Sequence, residues 1–470
     1  MYKVCTCTFG GTCTFKGMPK ASCSDWIERE FKQVDLGDRR LNQRLQKIVT
    51  DLSHNPQATI PQASGTWART KGAYRFFDHA GVTPEVILAG HQAATLERLA
   101  TPKTVLLVQD TTSLHYACQE SDSGLGKLGN RGDEALGLWL HTTLAVDEAG
   151  TALGIMQAQM WVRDPARAGL AARRRQRALA DKESQRCLNS FLESIRVAGL
   201  MPGRRVINVA DREGDIYELF AAAAQHAEVG VLVRARHNRR LQQEQKGLWD
   251  FISAQPVAGQ MEITVPRKPG VASQQATLEI RFGEVAIQKK GSALKLWIVE
   301  ARQRGVSAAK AICWRLLTNQ PVTDLTGAVE KVAWYRQRWR IEEFHRVLKT
   351  GCQAEARQLE KVERLKNVLA VDLIIAWRVL ELTRLSRQSP DLPATELLTE
   401  DEVKVLCAMY KPFAGRSTLK LREAVRAIAQ WGGFLARKSD GEPGPMTLWL
   451  GLLRLNDYLN AFHIFSKTYG

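Results

Sequence analysis

Tyr335, Arg338, Glu342 and Lys349 fall at i, i+3, i+7 and i+14 within the run WYRQRWRIEEFHRVLKTG. On a helix of about 3.6 residues per turn they occupy an arc of roughly 60°. One stripe then carries an aromatic hydroxyl, two cations and a carboxylate. A carboxylate can hold a divalent metal, and flanking cations can hold phosphates. That pairing suits chemistry on a nucleic-acid backbone. A blander reading of the same stripe is a solvated helix face in which Arg338 and Glu342 form an ordinary i,i+4 ion pair.

Two further carboxylates have positions of note. TVLLVQD reads as a short apolar strand ending in Asp110, and RVINVAD as another ending in Asp211. Ligand sites gather at the carboxyl ends of strands in open α/β sheets. If Glu342 packs over the same sheet, the three supply oxygen ligands for a pair of Mg²⁺ ions roughly 3.5–4 Å apart, with Mn²⁺ as a substitute. Three carboxylates held together without countercharge repel one another and raise each other's pKa. Alternatively, Asp211 is only an N-cap, with Glu213 and Asp215 favouring the helix dipole.

The elements that must position these groups fall into distinct stretches. Residues 26–100 show apolar residues at three- and four-residue spacing among Arg39, Arg40 and Arg44, a helical unit suited to DNA binding or an inert basic cap. Residues 101–385 read as an α/β core with a mixed sheet. Its strands are TVLLVQD, then GLWLHTTLAVD and ALGIMQAQMWV as a hairpin, then RVINVAD and VGVLVRAR, with helices after the third and fourth. From about 241 to 306 the pattern alternates, as for an all-β insertion. A single helix is expected over Thr326–Thr350 and an apolar one over Leu365–Leu385. Residues 386–470 are mainly helical.

Lysine and arginine number 66 against 49 acidic residues in 470, a formal charge of +17 and a pI of about 9.6. That excess favours polyanions, nucleic acid first and an anionic membrane surface second. No apolar run reaches the roughly 18 residues of a membrane span. The longest, LAVDLIIAWRVLEL, is interrupted by Asp372 and Arg378 and reads as a buried helix. Nine cysteines without paired CxxC motifs argue against a disulfide framework or zinc ribbon and fit a reducing cytoplasm. Four of them lie in the first 23 residues. Residues 1–25 are expected to be a disordered Cys-rich extension, with Met18 an alternative start and metal or redox binding a minority reading.

Y-x2-R-x3-E-x6-K resembles the signature of the insertion-sequence-four family of bacterial cut-and-paste transposases. Tyr335, Arg338, Glu342 and Lys349 match it at every position. QDTTSL at Gln109–Leu114, ADREGDI at Ala210–Ile216 and RWRIEEFH at Arg338–His345 resemble that family's three catalytic segments. LGKLG at Leu125–Gly129 and AYRF at Ala73–Phe76 are also similar.

The resemblance implies a ribonuclease-H-like core with catalytic, metal-binding Asp110, Asp211 and Glu342 and a β-rich insertion. It further implies a helical N-terminal DNA-binding domain and a helical C-terminal dimerisation domain. Tyr335, Arg338 and Lys349 would grip phosphates near the cleaved end, with Arg234 and Arg346 as further contacts. Trp314 would stack a flipped base, although a core strand residue is the alternative; Trp334 and Trp339 are expected in the core. Arg44, Tyr74 and Arg75 match positions that touch end DNA. Implied partners are transposon-end duplex, target DNA and a second copy in a synaptic complex, with no membrane, in the bacterial cytoplasm and associated with the nucleoid. A catalytically silent DNA-binding copy and a plain nuclease of the same fold stay open as alternatives.

Overall fold

The computed structural model describes residues 23–116, 123–129, 135–163, 182–242, 247–265, 274–289, 292–307, 310–438 and 440–468. Residues 1–22 of the Cys-rich leader lie outside this set.

Five helices open the described chain: α1 (Cys23–Phe31), α2 (Arg39–His54), α3 (Ile60–Ser64), α4 (Trp67–Phe77) and α5 (Pro84–Leu99). Their starts are written locally. Asp38, Thr59, Thr66 and Thr83 are N-caps whose side chains accept from a backbone N–H of the first turn. Leu45, Ile48, Val49 and Leu52 of α2 point inward at helical spacing.

The core sheet begins with β1 (Thr104–His115), followed by the short β2 (Gly126–Lys127), β3 (Leu136–Asp147) and β4 (Ala152–Trp161). After α6 (Gln185–Leu200) come β5 (Arg205–Ala210), α7 (Tyr217–Gln225) and β6 (Val229–Arg234). β1, β3 and β4 pair antiparallel, and β5 and β6 run parallel to β1. The order β4-β3-β1-β5-β6 is the ribonuclease-H-like arrangement expected from the sequence. β5 and β6 are apolar over nearly their whole length because helices and neighbouring strands cover both faces.

The inserted stretch departs from expectation in one way. It contains a helix, α8 (Leu248–Ala254), because LWDFISA buries Leu248 and Ile252 at helical spacing. Its strands are β7 (Gly259–Val265), β8 (Gln274–Lys289) and β9 (Ser292–Gln303). They join the core sheet through β10 (Cys313–Thr318), which pairs with β6 and β9.

The expected single helix over 326–350 is three pieces: α9 (Leu325–Arg336), α10 (Trp339–Arg346) and a π-helical turn at Val347–Gly351. At the break, the N–H groups of Gln337, Arg338, Arg340 and Ile341 donate three residues back instead of four. α11 (Val362–Gln388) then runs through the interior. Its Asp372 is fully buried and paired with Arg357. α12 (Glu400–Met409), α13 (Leu421–Trp431) and α14 (Pro445–Thr468) form a second apolar centre around Leu406, Val425, Ile428, Leu448 and Leu455. Leu382 of α11 shares that centre, so the border expected at residue 385 falls inside one continuous helix. No helix among the described residues is long and apolar enough to cross a membrane.

Candidate active site

β1 does not stop at Asp110. It continues to His115 because β3 pairs with it along its entire length. The shorter partner is β5, whose parallel register ends at Val108 opposite Val209. Continuing that register by two residues brings Asp110 level with Asp211. Asp110 therefore sits where β1 outruns β5, and Asp211 leaves β5 at the same level.

Asp211 also caps the following turn. Its carboxylate accepts from the Glu213 N–H at 2.8 Å, opening a 3-10 turn over Arg212–Gly214 ahead of α7. The capping alternative is thus realised without removing Asp211 from the neighbourhood of Asp110.

α10 delivers Glu342. Ile341 and Phe344 are buried beneath it, and His345 Nε2 lies 3.3 Å from Thr142 Oγ1 of β3, which seats the helix on the sheet. Burial holds the His345 imidazole down at about 3, helped by the positive charges of Lys349 and Arg338. Arg338, at the break before α10, donates to Glu342 and places its other terminal nitrogen 3.7 Å from Asp110. The Asp110 and Glu342 side chains are 19% and 29% exposed, so ligand can reach both.

Burial pushes the Asp110 carboxyl up to about 7. Arg338 opposes that rise, and the negative charges of Asp211 and Glu342 add to it. Asp211 and Glu342 are therefore both near enough to act on Asp110. The donor chemistry suits a hard divalent ion, which prefers carboxylate oxygen and relieves such repulsion. The spacing is wider than one ion's ligand shell: among the described residues no three His, Cys, Asp or Glu side chains stand close enough to hold a metal. Arg338 is the cation between Asp110 and Glu342.

The remaining expected contacts divide. Tyr335 is buried, and burial raises its phenol above the ordinary value while Arg338 and Arg234 oppose the rise. Arg234 donates to the Cys313 carbonyl at 3.1 Å. Trp314, half-buried on β10, meets the Tyr335 ring edge-on at 5.8 Å. Of these residues Arg338 touches Asp110 and Glu342, Tyr335 lies near Arg338 and Asp211, and Trp314 packs on Tyr335. Lys349 lies in the π-helical turn and pairs with Glu355 at 3.6 Å. Arg346 is exposed at the end of α10. Arg44, Tyr74 and Arg75 lie on the N-terminal helices, Arg44 laid against Gly72 of α4. Trp334 is in the core, but Trp339 is 49% exposed, contrary to expectation. The break at Gln337–Arg338 turns it outward.

A polar network behind the acids was not legible in the sequence. The Gln109 amide donates to Asn208 Oδ1 at 2.7 Å, leaving its oxygen 3.1 Å from His141 Nε2. His141 must then carry its proton on Nε2, and Nδ1 faces Thr111 Oγ1 at 2.9 Å. Burial holds this imidazole well below its ordinary pKa. Arg186 donates to Thr111 Oγ1 at 2.9 Å and pairs with Glu213. Gln109 and Thr111, the two neighbours of Asp110, are both tied to fixed groups, and so the carboxylate between them is held. QDTTSL carries the only local signal, polar residues at the end of an apolar strand.

Three family models match the chain: Transposase DNA-binding over residues 23–82, Transposase DDE domain over 179–377, and Transposase Tn5 dimerisation domain over 374–469. Asp211 and Glu342 lie within the second match, and Asp110 lies before it. The domain content is similar to that of DDE transposases: an N-terminal DNA-binding domain, a DDE domain and a C-terminal dimerisation domain. The particular likeness is to transposases of the Tn5 type, the transposon-five enzymes.

Proposed function

We propose that this chain is a metal-dependent DNA transposase that binds the ends of its element, cuts them through a hairpin intermediate and joins the 3′ ends to target DNA. What supports the reading is the level register of Asp110 and Asp211 on adjacent strands, with Glu342 joined to Asp110 through Arg338, in a chain with transposase domains. The insertion-sequence-four signature Tyr335, Arg338, Glu342 and Lys349 belongs to the same proposal.

Paired Mg²⁺ ions, or Mn²⁺, bound by the three carboxylates would lower the pKa of the attacking oxygen and neutralise charge building on the phosphate. The chain's own residues do the rest. The carboxylates take the proton of the attacking water as its oxygen bonds to phosphorus; the P–O3′ bond breaks and the leaving 3′ oxygen takes up that proton to become a hydroxyl. That hydroxyl attacks the opposite strand, closing a hairpin and expelling the other strand's oxygen. Water reopens the hairpin, and the freed 3′ hydroxyl displaces an oxygen of target DNA. Every step is an in-line displacement at phosphorus, so one acidic cluster serves them all.

Tyr335, Arg338 and Lys349 hold the phosphates near the cut, with Arg234 and Arg346 on the neighbouring backbone. Trp314 presents a ring face to an extruded base, since every base has a π-face to stack. Arg44, Tyr74 and Arg75 contact end duplex. Two copies, joined through the C-terminal helices, bridge two ends in a synaptic complex at the bacterial nucleoid in the cytoplasm, each cutting the end that the other's N-terminal domain holds.

The deciding experiment incubates the chain with Mg²⁺ or Mn²⁺ and a duplex carrying the inverted repeat that flanks its coding region. Hairpin and joined products support the proposal. Nicks alone point to a nuclease, and binding without chemistry to a silent copy.

A further inference from the structure

Arg338 occupies an unusual place for a phosphate contact. Its side chain is 14% exposed and already engaged by acids on two different elements, Glu342 of α10 and Asp110 of β1. Two nearby cations are engaged elsewhere: Lys349 faces Glu355, and Arg234 donates to the Cys313 carbonyl. Arg338 is thus the cation seated among the acids, in the space between two groups that a divalent ion would have to draw together.

A guanidinium and a divalent ion beside the same two carboxylates repel each other. Either can compensate the acids, and both together are disfavoured. A phosphate, by contrast, offers a guanidinium two oxygens in a geometry that matches its planar fork. Arg338 also sits at the break between α9 and α10, where 3-10 bonds replace the regular ladder, so its backbone is not fixed by a continuous helix.

We propose that Arg338 is an internal counterion that competes with the divalent cation for Asp110 and Glu342, and that the phosphate of bound end DNA draws it away. DNA and metal then assist each other's binding, and the metal pair assembles where a duplex is already seated. This rests on the transposase reading and adds to it a linkage between two ligands, which must be reciprocal.

Mn²⁺ binding to the full chain, followed by the electron paramagnetic resonance of free Mn²⁺, tests it. Four proteins are compared: the natural chain, Arg338→Gln, Arg338→Met and Asp110→Asn, each with and without a pre-nicked end duplex that has no bond left to cut. The natural chain should bind Mn²⁺ weakly alone and roughly tenfold or more tightly with duplex. Both Arg338 variants should bind tightly without duplex and gain little from it. Arg338→Met and Arg338→Gln both remove the charge, one leaving an apolar stem and the other a polar one, so agreement between them separates charge from packing, and circular dichroism reports whether each is folded. Equal Mn²⁺ affinity of the natural chain and both folded variants without duplex overturns the counterion role. In that case loss of binding in Asp110→Asn would still leave the metal-dependent reading standing. Absence of Mn²⁺ binding in every protein, duplex present, overturns both.

Discussion

Arg357 and Asp372 form a two-pronged ion pair that is shut away from water, with donor–acceptor distances of 2.9 and 2.6 Å. The same guanidinium donates to the carbonyls of Ala58 and Pro56 at 2.7 and 2.9 Å. One side chain therefore fastens the loop after α2 to the central helix α11. Removing it would leave a buried carboxylate and two carbonyls without donors. Arg357→Met should destabilise the chain by about 3–5 kcal/mol, measured by urea unfolding. Arg357→Met with Asp372→Leu should regain much of that loss. A single variant within about 1 kcal/mol of the natural chain would contradict the fastening role.

Asp110→Asn, Asp211→Asn and Glu342→Gln should each lower end cleavage by about 10³-fold or more while duplex affinity stays within a few-fold. Single-turnover cleavage and gel-shift titration separate the two. Any of the three that cuts at the natural rate leaves the proposed trio.

Trp314→Ala should weaken the base-extruded state by about 1–3 kcal/mol, the worth of one stacked base, with Trp314→Phe retaining part of it. A 2-aminopurine at the end reports extrusion directly. Part of any stability loss will come from the contact with Tyr335, so the fluorescence signal is the informative reading. Unchanged fluorescence in Trp314→Ala would remove the residue from base stacking.

Three buried histidines make the fold acid-sensitive. His91, His141 and His345 are all held below the ordinary imidazole value, burial being the largest cause in each. His91 Nδ1 meets Glu30 at 2.6 Å while Nε2 accepts from the Ile155 N–H at 2.9 Å, so a second proton has nowhere to go. A depressed folded pKa means that the unfolded chain binds the proton first. Stability is then complete above about pH 6.5 and falls as pH drops below it, by up to about 1.4 kcal/mol per pH unit for each histidine. Melting temperature between pH 8 and 5 should decline accordingly, and His91→Gln should shrink the decline. The Asp110 carboxyl, raised to about 7, acts in the opposite sense, so the scan is read in Asp110→Asn, where a flat profile would show that these rings are not neutral in the fold.

Much of this architecture is legible in the chain. The five core strands are apolar runs of the right length, the threonine and aspartate caps open helices, and Asp372 and Arg378 mark α11 as buried in protein. Tertiary pairing decided what was not legible. Asp110 was expected to end its strand, but the threonines after it suit a strand, and β3 supplies a partner as far as His115. The break at Gln337–Arg338 has no glycine or proline to announce it, so the helical pattern reads straight through and Trp339 is assigned to the wrong face. The bonds of Gln109, Thr111 and His141 join residues 30 or more positions apart, beyond any local pattern.

The N-terminal helices are bound to the catalytic unit at several points. Arg357 holds the loop after α2, Asn367 donates to the Phe77 and Val82 carbonyls, and Glu30 is gripped by His91 and Arg98, with Arg98 also donating to the Leu153 carbonyl. α5 ends at Leu99 and β1 starts at Thr104, so only residues 100–103 lie between them. These bonds set the two parts in one fixed relation within a copy. Under the proposed exchange of ends between copies, the interval between the duplex that one copy holds and the phosphate that its partner reaches is then fixed by how the two copies join, and a change at that joint displaces the cut.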